Sequence, residues 1–161
     1  MNLLRACAVS LSLLLVAMPA CARECAPQVR EGWLRLPPGK MPMLAGFGRI
    51  ENRCPTPVTV VGVSSPAFAD TSLHETRIVD GISRMRALPE LRIAPGSAAI
   101  LKPGGMHLML MQPHAPLKPG SRVVVEFTLK DGGVLRGEFE VRKSAEAAQV
   151  RGNRRVSRTT D

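Results

Sequence analysis

Turn signals divide this chain so finely that no room is left for a long helix. Beyond residue 22 the sequence carries "PPGK" at 37, "DG" at 80, "APG" at 94, "KPGG" at 102, "KPG" at 118 and "DGG" at 131. Each supplies the fixed φ of proline or the positive φ of glycine that a tight turn requires. The segments between them follow the two-residue period of strands and show no amphipathic helix. They place strands at 28–36, 44–52, 57–65, 71–79, 82–87, 97–102, 105–112, 121–130 and 134–142. Many short strands at close spacing predict an antiparallel sandwich or barrel. The last hairpin shows the pattern most plainly. Val123, Val125, Phe127 and Leu129 share one face, with Arg122, Glu126, Thr128, Lys130 and Val124 on the other. Beyond Gly132-Gly133, Leu135, Phe139 and Val141 take the inward face in turn.

The two ends of the chain differ from this middle. "MNLLRACAVSLSLLLVAMPACA" has one basic residue, Arg5, an apolar run too short to span a bilayer with ease, and an Ala20-x-Ala22 site. These are the marks of an export signal cleaved after Ala22. Lipidation of Cys21 is the rival reading, against which Met18-Pro19-Ala20 is a poor context. No later apolar stretch is long enough for a transmembrane segment. The expected organisation is therefore a signal peptide at 1–22, one domain at 23–143 and a disordered basic tail at 144–161. Residues 142–161, the end of the last strand and the tail, hold six Lys/Arg against two acids, a net +4 of the formal +9. With no tyrosine and one tryptophan, the chain offers no stacking platform, and nucleic acid is not an expected partner. An anionic membrane surface or an acidic partner suits the tail better.

Loss of the signal removes Cys7 and Cys21 and leaves Cys25 and Cys54. In an exported protein such a pair reads as one structural disulfide. A redox-active or metal-binding pair is the alternative, but those usually sit at CxxC spacing.

Three histidines remain to carry chemistry: His74, His107 and His114. In "SLHETRIVDGISRMRA" the Asp80-Gly81 pair predicts a type I′ hairpin turn, which sets Val79 opposite Ile82 and Thr76 opposite Met85. Met85 then becomes the diagonal neighbour of His74 on the same face, about 7–8 Å away. Glu75, Arg77, Arg84 and Arg86 point the other way. In "GGMHLMLM", His107 and Met109 likewise share a face, while Leu108 and Leu110 are free to enter the core. If the two segments meet, two imidazoles and two thioethers converge. Thioethers are poor ligands for hard cations and good ones for Cu(I). Neither donor has to lose a proton, as a thiol does, or can be lost to disulfide formation. Taken alone, an HxM on a strand is as consistent with packing as with ligation.

His74, Met85, His107 and Met109 also fit, without a gap, the H-x10-M-x21-H-x-M motif of the periplasmic copper chaperone family PCu(A)C. The chain resembles that family from about Met41 to Val141, in "MPMLAGFGRIEN", "SSPAFADTSLHET", "LKPGGMHLMLM" and "PLKPG". The resemblance implies an all-β, cupredoxin-like Greek-key β-barrel or sandwich. It implies a monomeric periplasmic carrier, not an enzyme, with one Cu(I) per domain on those four residues. It implies copper-accepting partners such as cytochrome c oxidase subunit II or a Sco-like protein. Copper buffering and a metal-free interaction module are the competing readings. Met111 shares the face of Met109 and is read as packing or a spare ligand. Met41, Met43 and Met106 are read as packing and His114 as exposed. The tail has neither Met nor His, so the second copper site borne there by some relatives is not expected.

Overall fold

Inward-facing valines, leucines and phenylalanines at every second position build the structure, a computed structural model that describes residues 25–39 and 41–143. Its strands are β1 (Gln28–Leu36), β2 (Met43–Asn52), β3 (Val58–Ser64), β4 (Phe68–Val79), β5 (Ile82–Ala87), β6 (Leu91–Ile93), β7 (Ser97–Leu101), β8 (Met106–Pro113), β9 (Arg122–Leu129) and β10 (Val134–Lys143). All but β6 were legible as strands. Three residues held between Pro89 and Pro95 are too short to display a period. The expected signal peptide and tail lie outside the described residues.

The hydrogen-bonded order is β5-β4-β8-β2-β1-β10-β9-β3-β6, with β7 pairing the far half of β2. This all-β sheet folds on itself as an open sandwich. One pair corrects the purely antiparallel expectation: β1 and β10 run parallel, with Trp33 beside Glu140 and Leu36 beside Lys143. Parallel neighbours need a long crossover, and here the rest of the domain serves as that connection between its first and last strands.

The core follows the predicted alternation. Val123, Val125, Phe127, Leu129, Leu135, Phe139 and Val141 are all buried, whereas Val124 on the opposite face is 38% exposed. Leu34, Leu44, Ile50, Leu73, Leu108 and Leu110 close the other side of the same cluster. Gly46 sits where β1, β2 and β8 press together. A Cβ there would lie 3.0 Å from both Leu34 Cδ2 and Leu108 Cβ, so glycine allows the three strands to close.

A buried amide and a disulfide fix the end of β2. The Asn52 side chain donates to the carbonyls of Thr56 and Ile93, and its oxygen accepts from the Cys54 N–H. Cys54 is bonded to Cys25, with Cα atoms 5.5 Å apart and a sequence separation of 29. This is the structural pairing expected. Closing a loop of that length removes about 3–4 kcal/mol of denatured-chain entropy. The Cys25→Ala, Cys54→Ala variant is expected to lose about 3 kcal/mol of unfolding free energy in urea titrations. A reductant should then leave the variant's midpoint unchanged while lowering that of the native chain.

Candidate metal centre

The site face begins with the β4–β5 hairpin. Asp80 and Gly81 take φ of 52° and 75°, the left-handed pair that a type I′ turn needs. The ladder then runs Val79↔Ile82, Thr76↔Met85 and His74↔Ala87, the register read from the sequence. On its reverse face Glu75 pairs with Arg77 and Arg86, each at 2.9 Å, so those charges are turned away from His74.

The tertiary structure adds the partner strand. β4 pairs with β8 so that His74 lies directly opposite His107, and Ser72 opposite Met109. The two imidazole rings are 6.1 Å apart between centroids and inclined by 32°. His74 thus has His107 straight across, Met109 on one diagonal and Met85 on the other, all on one face of three adjacent strands. Met109 is half-buried, and Met85, on the edge strand, is 54% exposed. Among the described residues no three His, Cys, Asp or Glu side chains gather to hold a metal, so a centre on this face has to use thioethers.

Hydrogen bonds prepare both imidazoles. His107 is 9% exposed and its Nδ1–H donates to the Gly105 carbonyl at 2.9 Å. A carbonyl only accepts, so the Nε2 of neutral His107 keeps its lone pair. The same carbonyl accepts the Thr76 N–H at 3.1 Å, which ties the ring to β4. His74 Nε2 lies 3.0 Å from Ser72 Oγ, and His74 Nδ1 is buried without a protein partner. If Nε2–H donates to Ser72, the orphaned Nδ1 presents a lone pair of the kind a metal would satisfy. The pKa of His74 is lowered, first by burial and second by neighbouring His107, against a smaller upward pull from Asp70. Two neutral imidazoles and two thioethers form a soft donor set without a net charge.

An aromatic wall, not anticipated from the sequence, flanks the site. Trp33 stacks on Phe47 at 4.6 Å, Phe47 lies 6.5 Å from His107, and the Arg35 guanidinium sits 5.3 Å from the Phe47 ring. Phe47 is only 2% exposed, yet it stands outside the main core cluster. The signal was its parity: Leu44 and Ile50 face inward, so Phe47 shares the opposite face with Ala45 and Arg49. Of the other residues considered, His114 is exposed as expected and Met106 packs on the core. Met41 is half exposed, so the packing role expected for it is not seen. Met43 and Met111 face away from the core, on the side of Met109.

Residues 28–141 match the family described as LpqE-like. A protein of Leifsonia xyli subsp. xyli named as a lipoprotein, Lxx21020, is 37% identical over 106 residues. That match takes in 65% of this chain and 63% of the relative, so the chain spans less than two thirds of that protein's length. Among solved structures, the Cu(I) form of DR1885 from Deinococcus radiodurans is 27% identical with a TM-score of 0.59, over 78% of this chain and 84% of that one. The copper-bound PCuAC domain of PmoF2 shares the fold, with a TM-score of 0.59 at 18% identity over 73% of this chain and 92% of that one. The fold is thus the cupredoxin-like one that the PCu(A)C resemblance implied. Among the described residues no helix is long and apolar enough to cross a membrane.

The lowered pKa of His74 has a measurable consequence. Between its folded value and the ordinary 6.5, the unfolded chain binds more protons, so metal-free stability rises with pH there. That contribution is fully present above 6.5 and is lost as pH falls toward the folded value. Thermal melts of the metal-free domain from about pH 5 to about pH 8 should show this acid limb. The limb is expected to flatten in His74→Gln.

Proposed function

The chain belongs to the LpqE-like family, and we propose that it is an exported copper carrier that holds one Cu(I) on His74, Met85, His107 and Met109. The observation that carries this reading is the direct register of His74 with His107, with one methionine on each diagonal of His74. The copper-loaded relatives of the same fold support it. The protein is read as a monomeric carrier rather than an enzyme, and the ion is its cargo.

Each residue has a distinct task. The bond from His107 to Gly105 holds one imidazole with its Nε2 lone pair free. Ser72 orients the other ring. Met109 supplies a half-buried sulfur, and Met85 an exposed one on the edge strand. Exchange therefore starts at Met85, where an incoming thiolate or imidazole can reach the ion while three donors still hold it. No proton has to leave this chain in any step, because all four donors bind in their neutral forms. The wall of Trp33 and Phe47 closes the side of the site opposite β5 and leaves that edge as the approach.

Delivery to the copper centres of cytochrome c oxidase, directly or through a Sco-like protein, is the finer reading, and it rests on the PCu(A)C resemblance. Export through a signal at 1–22 and a basic tail at 144–161 complete the reading, on the residues of the two ends of the chain. The lipoprotein names of the relatives favour testing the alternative of lipidation at Cys21. The mass of the exported N-terminus separates the two, since cleavage after Ala22 removes Cys21 altogether. Copper buffering uses the same site without a dedicated recipient. A strain lacking the protein should show under-metallated oxidase if delivery is its role.

Anaerobic titration against a chromophoric competitor should give one tight Cu(I) equivalent, with two nitrogens and two sulfurs by X-ray absorption. Met85→Ala combined with Met109→Ala should weaken that equivalent by at least about tenfold, since even groups that merely orient metal ligands are worth about 10–100-fold. Affinity untouched by the pair of substitutions would sink the reading.

A further inference from the structure

We propose that Met43 and Met111 form a second, weaker Cu(I) site on the same face, from which the ion passes to the His74 centre by way of Met109. The proposal deepens the copper-carrier reading and rests on it. Met43 on β2 and Met111 on β8 are direct register partners. Their Cβ atoms are therefore about 4.5–5.5 Å apart, close enough for two flexible side chains to converge on one ion. Leu44 and Leu110, the neighbours of these methionines, are buried in the core cluster. Met106 packs against that cluster, whereas Met43, Met109 and Met111 do not. All three are half-buried on the site face, so core packing does not account for their sulfurs.

The surroundings suit a soft monovalent cation. Across β4, Asp70 is the register partner of Met111, and it places a carboxylate beside the thioether pair. A carboxylate is a poor ligand for Cu(I), but its charge offsets that of an ion held by neutral sulfurs. Ala45 is the β2 partner of Met109, so a small side chain separates the methionine pair from the main centre. Met111 and Met109 are two residues apart on one strand, about 7 Å along the same face. Met109 can then exchange between the two positions. Each step breaks one copper–sulfur bond as another copper–sulfur or copper–nitrogen bond forms, with no electron or proton transferred. With two sulfurs and no imidazole, the outer pair binds more weakly than the four-donor centre, as a point of entry must.

The test is a Cu(I) titration of the full exported chain, anaerobic and with methyl-labelled methionine, followed by NMR and by competition with a weak chelator. The first equivalent is expected to shift the methyls of Met85 and Met109, and the second those of Met43 and Met111. The Met43→Leu, Met111→Leu variant should take up one equivalent instead of two, with the affinity of the first unchanged to within about twofold. Leucine preserves the apolar volume, so retained folding is expected of the variant. The native chain also carries the methyl readout independently of any substitution. A second equivalent that leaves Met43 and Met111 unmoved, or a variant that still takes two, overturns the proposal. Shifts confined to Met43 and Met111 from the first equivalent onward would sink the four-residue centre while leaving the outer pair standing.

Discussion

The register between β4 and β8 is the constraint on which the candidate site depends. A strand that slips by one residue turns every side chain to the other face. Here a slip of β8 would bring Leu108 and Leu110 out of the core and carry His107 and Met109 into it. Exposing two leucines costs about 3–6 kcal/mol, a large share of the stability of a domain of this size. The geometry of the imidazoles is therefore held by the hydrophobic effect acting on the opposite side of the same strands. The soft donors need little binding energy of their own to stay in place, which suits a site that must also release its ion.

The second support is the division of charge across the sheet. Glu75, Arg77 and Arg86 form their ion pairs on the reverse of β4 and β5. They leave the two imidazoles and two thioethers as the neutral donors of the site face, beside the carboxylate of Asp70 and an aromatic wall that carries Arg35. Both His74 and His107 have one ring nitrogen engaged by a neighbour two residues earlier in the chain. Local backbone thus sets each ring, and sheet pairing brings the two together. The antiparallel β1–β2 register sets Trp33 directly opposite Phe47, beside His107.

Much of the fold was legible because strand periodicity and turn chemistry are local. The β4–β5 register followed from Asp80-Gly81 alone, since a two-residue loop leaves a single pairing open. The burial of Leu108 and Leu110 and of the β9–β10 hairpin followed from alternation. β6 escaped because three residues carry no period. The parallel pairing of β1 with β10 escaped because it joins the two ends of the domain, where no turn links one strand to the other. Phe47 escaped for a different reason. Its parity against Leu44 and Ile50 marks it for the outer face, but its place beside Trp33 and His107 depends on β1 and β8 flanking β2.

The sequence by itself determined which residues share a face: His74 with Met85, His107 with Met109, and Met111 beyond them. Backbone alternation and a two-residue turn fix these relations within a few residues of chain. Only the tertiary structure decided that β4 lies beside β8, that His74 stands opposite His107, and that Met43 stands opposite Met111. Those neighbours are brought together by the burial of leucines from distant strands in one core. That choice is made over the whole domain and leaves no signature in any short stretch of residues.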